Sequence, residues 1–358
     1  MYVYYLDKLT AKITGYTECS KYSIAENIDF SEKSKVIVPD RPDISDDDIV
    51  VLRDSTKQVF AGICSEVSVG KAPYTLTLLP LERIFDRKIF VGNEALISTT
   101  GLEDFVADEI RRNFISSGDP IFDKSYMTIR ASTHTPRSLT VSSVVDSENG
   151  IYNLKTFLGN IKEFYQIMLK FEITNESVGI EVYRDSTGEL QLDTQYSDIS
   201  NLEETYTVDV LAKLNVKWVI PQQDGEGNEL DPDVEFLTFY LLNDRSVTMD
   251  ASNVNRVEGT IDTICVQTED ENELIEQVSN SFISNSYSHC MTFDISKTSQ
   301  IYPPELFYVG RKVSIKSKRT GETTSSIITK ITGSSDNAMR SITIGKLPIT
   351  LIEKIRRL

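Results

Sequence analysis

The apolar residues of this 358-residue chain change their period twice along its length, and no other feature limits the fold as much. Up to about residue 90 they alternate with polar ones, as in strands with a buried face. Val59 to Val69 and Tyr74 to Leu79 show this clearly, and Gly70-Lys71-Ala72-Pro73 between them predicts a hairpin with a four-residue connection. Lys35 to Val38 reads as a short strand. Pro39-Asp40-Arg41-Pro42 and Asp46-Asp47-Asp48 read as an exposed acidic loop before a strand starting at Ile49. The triple aspartate is a solvated loop rather than a metal site, because consecutive carboxylates cannot all converge on one ion.

The period then becomes helical. Leu102, Phe105, Val106, Ile110 and Phe114 form one stripe, with Thr100 and Glu103 placed as a capping box. A second helix is predicted from Asn153 to Met168, its stripe being Leu154, Phe157, Leu158, Ile161, Tyr165 and Met168. Phe171 to Ile173, Gly179 to Tyr183 and Glu189 to Leu192 return to strands, with Asp185-Ser186-Thr187-Gly188 as a turn.

Beyond residue 200 the pattern is again that of strands: Tyr206 to Leu214, then Val216 to Ile220 with the only tryptophan, Trp218. The acidic stretch from Asp224 to Asp233 approaches a calcium loop, with Glu235 at the twelfth position. Glu229 occupies the position that needs glycine, and strands flank it instead of helices, so it reads as a long hairpin tip. A short helix near residues 270–284 should bury Leu274, Val278 and Phe282. Lys312 to Lys316, Ser325 to Ile331 and Ser341 to Ile344 then read as a small antiparallel barrel or sandwich. The expectation is a β-rich α+β protein with units at 1–95, 96–200 and 201–358, consistent with units of roughly 100 to 150 residues each.

A formal net charge of −17 opposes attraction to nucleic acid or anionic lipid. The densest basic cluster, Arg311, Lys312, Lys316, Lys318 and Arg319, alternates with Val313, Ile315 and Ser317 and reads as the solvated face of a strand. The segment from Met1 to Leu9 has no basic stretch leading into an apolar run, and no stretch approaches the roughly 20 apolar residues of a membrane span. A soluble protein made in the cytoplasm, without a signal peptide, is expected. Cys19, Cys64, Cys265 and Cys290 are scattered, so they read as buried small hydrophobes rather than as disulfide or zinc partners.

Catalytic material is sparse. His134 and His289 are the only histidines, His134 reading as a surface residue. His289 and Cys290 would diverge on a strand, because adjacent side chains point to opposite faces. The nucleotide-binding, nucleophile-elbow and zinc-protease motifs are all missing. Two carboxylates would suffice for glycosidase chemistry, yet nothing selects a pair, and aromatic residues that could line a sugar groove are spread along the chain. No catalytic, cofactor-binding or metal residues are assigned, and no enzymatic activity is expected.

Phe60-Ala61-Gly62-Ile63, followed by Tyr74-Thr75-Leu76-Thr77-Leu78-Leu79-Pro80-Leu81-Glu82-Arg83-Ile84-Phe85-Asp86-Arg87, resembles a pattern of siphophage tail-tip proteins: an F-x-G-I strand, a hairpin and a proline-led exit ending in aspartate. Tyr308-Val309-Gly310-Arg311-Lys312-Val313, Ile328-Thr329-Lys330-Ile331 and Ile344-Gly345-Lys346-Leu347 are similar to the other end of those proteins. The resemblance implies two barrel-like tube domains per chain, at 1–95 and 201–358. It also implies a homotrimeric, pseudo-sixfold hub docked under the distal tail protein ring, with fibre or receptor-binding proteins beyond, located in the virion tail. No stable nucleic-acid binding and no cofactor is implied. Lys35 to Pro39 and Ser341 to Gly345 are the expected seams between copies. The alternatives are a carbohydrate-binding tail adhesin, a cell-wall hydrolase component, and the hub of a bacterial contractile secretion apparatus.

Overall fold

Seven strands fill the first eighty residues: β1 (Tyr2–Leu6), β2 (Ile13–Glu18), β3 (Lys21–Asn27), β4 (Ser34–Val38), β5 (Ile49–Asp54), β6 (Lys57–Val67) and β7 (Tyr74–Pro80). They come from a computed structural model. It describes residues 1–345 except 56, 69–71, 91–96, 99–100, 139–140, 146–149, 194–197, 207–210, 224–228, 244–245, 287–288 and 317–322. The strands run antiparallel in the order β3, β4, β7, β6, β5, β1, β2. The expected hairpin is the pair β6 and β7.

Ile49-Val50-Val51-Leu52 of β5 is an unbroken apolar run because both faces of this sheet are covered. Val50 and Leu52 enter one core with Val3, Val36, Leu76 and Leu78. Ile49 and Val51 enter another, beneath the helices. Gly62, in the F-x-G-I run, lies opposite Pro80. A Cβ there would stand 2.4 Å from the carbonyl oxygen of Leu79, so the close approach of β6 to β7 requires glycine.

The middle of the chain contributes α1 (Leu102–Ile110), a π-helical turn Arg111–Ile115, the single turn α2 (Val141–Val144) and α3 (Leu154–Tyr165). The Asn153 side chain caps α3 by accepting from the Thr156 amide at 3.1 Å, and the helix stops before Met168, which lies in the strand Ile167–Ile173. That strand, Val178–Arg184 and Met127–Ala131 form a three-stranded sheet. Its Val178, Ile180 and Val182 meet Leu102, Val106 and Ile110 of α1 and Phe157, Leu158 and Ile161 of α3.

The expected capping box on α1 gives way to a different network. Thr100 lies outside the described residues, and the cap position is Gly101, without a side-chain bond. Glu103 is fully buried and turned toward the 133–135 segment, accepting from Thr133 Oγ1 at 2.9 Å, the Thr135 amide at 3.1 Å and Thr135 Oγ1 at 2.9 Å. A buried carboxylate needs such donors, and here they come from the 133–135 segment as well as from the helix's own first turn.

Farther on, Leu211–Gln223, Glu229–Leu241, Val247–Thr248 and Thr260–Gln267 make a four-stranded sheet covered on one face by α4 (Glu271–Ser286), which buries Leu274, Val278 and Phe282 as the stripe predicts. Leu211–Gln223 and Glu229–Leu241 form the expected long hairpin. The break expected at Asn215 does not occur, because its side chain bonds across the ladder, accepting from Thr238 Oγ1 at 3.3 Å.

The last strands close the architecture in an unexpected place. Thr323–Ser334 pairs antiparallel with β3, so the two ends of the chain share one 13-stranded sheet. Among the described residues that sheet is an open path, ending at β2 and at Ile199–Tyr206. Both expected seams are interior. β4 is bonded to β3 and β7, and Met339–Ile344 to His289–Ser296 and Thr323–Ser334, so neither has a free ladder to offer a second copy. Arg311 departs from the solvated face assigned to it: it is buried, its Nη1 donating to the Leu306 carbonyl at 2.7 Å. Lys312 and Lys316 are exposed as expected, while Lys318 and Arg319 lie outside the described residues. Among the cysteines, Cys64 and Cys290 are buried, Cys19 is half-buried, and Cys265 is exposed, contrary to the expectation.

Candidate assembly surface

Both faces of the N-terminal sheet are largely covered, whereas the sheet of residues 211–267 leaves large apolar side chains in solvent on its outer face. Register fixes which residues share it. Lys217 pairs with Phe236 on one side and Cys265 on the other, and Lys213 with Tyr240 and Ile261. These alternate with Leu214, Val216, Phe239 and Val266, which pack under α4, and so point away from the helix. Phe236 is 80% exposed and Ile261 62%, with Val234 also in the open. Arg256 covers the Tyr240 end, its guanidinium 4.0 Å from the ring centroid. The strand Thr260–Gln267 is parallel to Leu211–Gln223, and among the described residues no second strand pairs with it, although α2 lies against it. Exposed apolar side chains interspersed with Lys213 and Lys217, beside an edge that no second strand pairs with, make a surface suited to another protein chain.

The residues weighed for chemistry have structural partners. Asp48 accepts from the Lys8 amide at 3.0 Å and the Ser45 amide at 2.7 Å, so its carboxylate closes a loop. His134 is exposed, and its Nδ1 lies 2.7 Å from Asp104 Oδ2; the hydrogen bond to Asp104 and then its charge raise the imidazole pKa. Cys290 is buried, and burial pushes its thiol up, while the His289 side chain lies outside the described residues, as do residues 224–228 of the acidic tip. Among the described residues no three His, Cys, Asp or Glu side chains gather as a metal site. No described helix is long and apolar enough to cross a membrane.

One half-open cleft of about 250 Å³ is lined by Glu26, Phe60, Glu82, Lys162, Tyr183 and Tyr308 among others. Burial raises the Glu82 pKa and lowers that of Lys162, whose ammonium sits 4.9 Å from the centre of the Phe30 ring. The charges sit at the junction of the N-terminal sheet, α3 and the C-terminal strands. Sequence periodicity had no means of bringing them together.

No family model matches the sequence, and no curated protein matches it. Solved structures do share the fold. The tail protein from Neisseria meningitidis MC58 superposes with a TM-score of 0.54 at 12% identity, over 96% of this chain and 96% of that one. The prophage tail protein gp18 of Listeria monocytogenes EGD-e superposes with a TM-score of 0.53 at 10% identity, over 99% of this chain and 98% of that one. At this identity the likeness is one of fold, and it runs from end to end. The chain has the architecture of tail proteins, the class to which the Phe60 to Arg87 and Tyr308 to Leu347 segments pointed.

Proposed function

We propose that this chain is a structural, non-enzymatic hub of a phage or prophage tail tip or baseplate, three copies forming a pseudo-sixfold ring that joins the tail tube to the distal tip. The observation that carries the reading is the end-to-end fold match to two tail proteins, covering 96% or more of each chain compared. In this reading the tube domains are 1–95 and 201–358, with 96–200 between them. The ladder between β3 and Thr323–Ser334 supports the two acting as one body. Similar β domains at both ends would let three copies present six near-equivalent surfaces.

The partners are a second copy, the distal tail protein ring, and fibre or receptor-binding proteins in the virion tail. Phe236 and Ile261 suit the contact between copies, because large apolar side chains left in solvent favour a partner that buries them. Light scattering across a concentration series, with negative-stain images of the same sample, tests the ring. A species near three times 40.4 kDa that images as a ring, and that Phe236→Asp reduces to monomer, is expected. A monomer at every concentration, alone and with the distal tail ring added, would sink the proposal.

A further inference from the structure

We propose that β1 and β2 carry a binding site for neutral oligosaccharides of the pyranose class, at the end of the N-terminal sheet that the helices leave bare. The antiparallel register sets Tyr4 opposite Tyr16 and Tyr2 opposite Glu18, so Tyr2, Tyr4, Tyr16 and Glu18 share one face. Deeper on the same face, Leu6, Ile49 and Val51 are sealed beneath the helical core. The cover reaches Tyr4, which is partly buried against that core, and stops short of Tyr2, 42% exposed, and Tyr16, 68% exposed. The Tyr4 and Tyr16 rings stack with centroids 5.9 Å apart, and Tyr2 meets Tyr16 edge-on at 6.3 Å. Arg53, opposite Tyr2 on β5, holds its guanidinium 5.5 Å from the Tyr4 centroid and donates to the Ile173 carbonyl at 2.6 Å, which pins it beside the rings.

The chemistry of this patch selects the ligand. An aromatic face is electron-rich and attracts the polarised C–H groups of a pyranose ring, while the sugar hydroxyls need donors and acceptors around the platform. Arg53 supplies donors, Glu18 acceptors, and the phenol hydroxyls both. Arg53 and Glu18 balance each other in a chain of net charge −17, so the surface offers nothing to a polyanion. The exposed side chains of the patch carry hydroxyl groups or charge, whereas Phe236 and Ile261 of the assembly surface have no polar atom to offer a sugar hydroxyl. The rival occupant is a protein strand, since β2 is bonded on one side only among the described residues. The site is independent of the hub reading, and either can fail alone.

The test is titration of the full chain with chitotetraose, cellotetraose and maltotetraose by calorimetry and by shifts of the tyrosine ring resonances, with dextran sulfate as the polyanion control. Saturable binding of at least one neutral tetrasaccharide at or below about 1 mM is expected, the weak end of single-site affinity. Tyr16→Ala should weaken it about tenfold, in line with the worth of one aromatic contact, and Tyr16→Phe should retain the stacking share. Unchanged melting of both variants separates this loss from misfolding. Three results would overturn the proposal: no saturable binding to any of the three sugars, binding that survives Tyr16→Ala, or Tyr16→Ala dissolving an oligomer in light scattering, which would make the patch a protein interface.

Discussion

The N-terminal sheet and the sheet of residues 211–267 are built from similar apolar material and use it differently. In β5, four successive residues are wholly buried, with α1 and α3 on one side and a second core on the other. In Thr260–Gln267 only Val266 is fully buried, and Ile261 faces solvent, as does Phe236 farther along the same outer face, level with Lys217 and Cys265. Each sheet has its covering helix, so the outer face of residues 211–267 is a surface left over after its own core is complete. The first sheet spends its apolar residues on the fold. The second holds some in reserve, where they contribute nothing to an isolated chain.

Truncating one aromatic in each place would test this division most severely. Phe157 of α3 is buried against Phe105 and Tyr152, and Phe157→Ala should cost about 3 to 5 kcal/mol in urea unfolding. Phe236→Ala should stay within about 0.5 kcal/mol in the monomer, as exposed substitutions do. Equal losses would break the comparison. Gly62→Ala comes next, at about 1 to 3 kcal/mol, because the added methyl meets backbone rather than a movable side chain. Its loss should appear in the same urea midpoint, with the slope unchanged.

The helix caps sharpen the contrast on a smaller scale. Asn153 caps α3, and Asp270 accepts from the Asn272 amide at 2.8 Å to cap α4. Asn153→Ala and Asp270→Ala should each cost about 1 kcal/mol in thermal melts. Hydrogen exchange should tell them apart: Asp270→Ala speeds exchange in Thr260–Gln267 and α4 and leaves β1 to β7 alone. Faster exchange across β1 to β7 as well would mean that the two sheets open as one unit.

Local pattern carried much of this architecture. The stripe Leu274, Val278 and Phe282, the hairpin of β6 and β7, and the long hairpin around residues 224–228 follow from period and turn chemistry within a few residues of each other. What the sequence withheld is non-local. Nothing in Lys35 to Val38 says that β3 and β7 flank it, and nothing near Ala25 announces Thr332 as its partner across the ladder. Hence the seams were assigned to strands that are interior. Arg311 and Glu103 are buried for reasons the pattern does not carry: alternation places Arg311 on a solvated face although the Leu306 carbonyl accepts from it, and local spacing pairs Glu103 with Thr100 although its donors lie at residues 133–135. The tyrosines of β1 and β2 look scattered until the register sets Tyr4 opposite Tyr16, and only the extent of the helical cover shows that Tyr2 and Tyr16 stay open.

The smallest expected effect is electrostatic and lies on the two-sided half of the molecule. His134 ties the 133–135 segment to the first turn of α1 through Asp104, whose hydrogen bond and charge raise the imidazole pKa above its ordinary value. A raised histidine stabilises the fold fully below the unfolded value of about 6.5, and that contribution is lost as pH rises through the folded value. The His134 ring resonances should therefore titrate with a midpoint above about 6.5, and Asp104→Asn should return the midpoint to that value. His134→Gln should lower the melting temperature slightly at pH 5, by an amount that fades as the solution becomes alkaline. Exchange in residues 211–267 should not respond at any pH, because α4 and its sheet have no part in this contact. A His134 midpoint unmoved by Asp104→Asn would mean that the pair is not formed in solution, leaving Glu103 and its threonine donors to hold the segment alone.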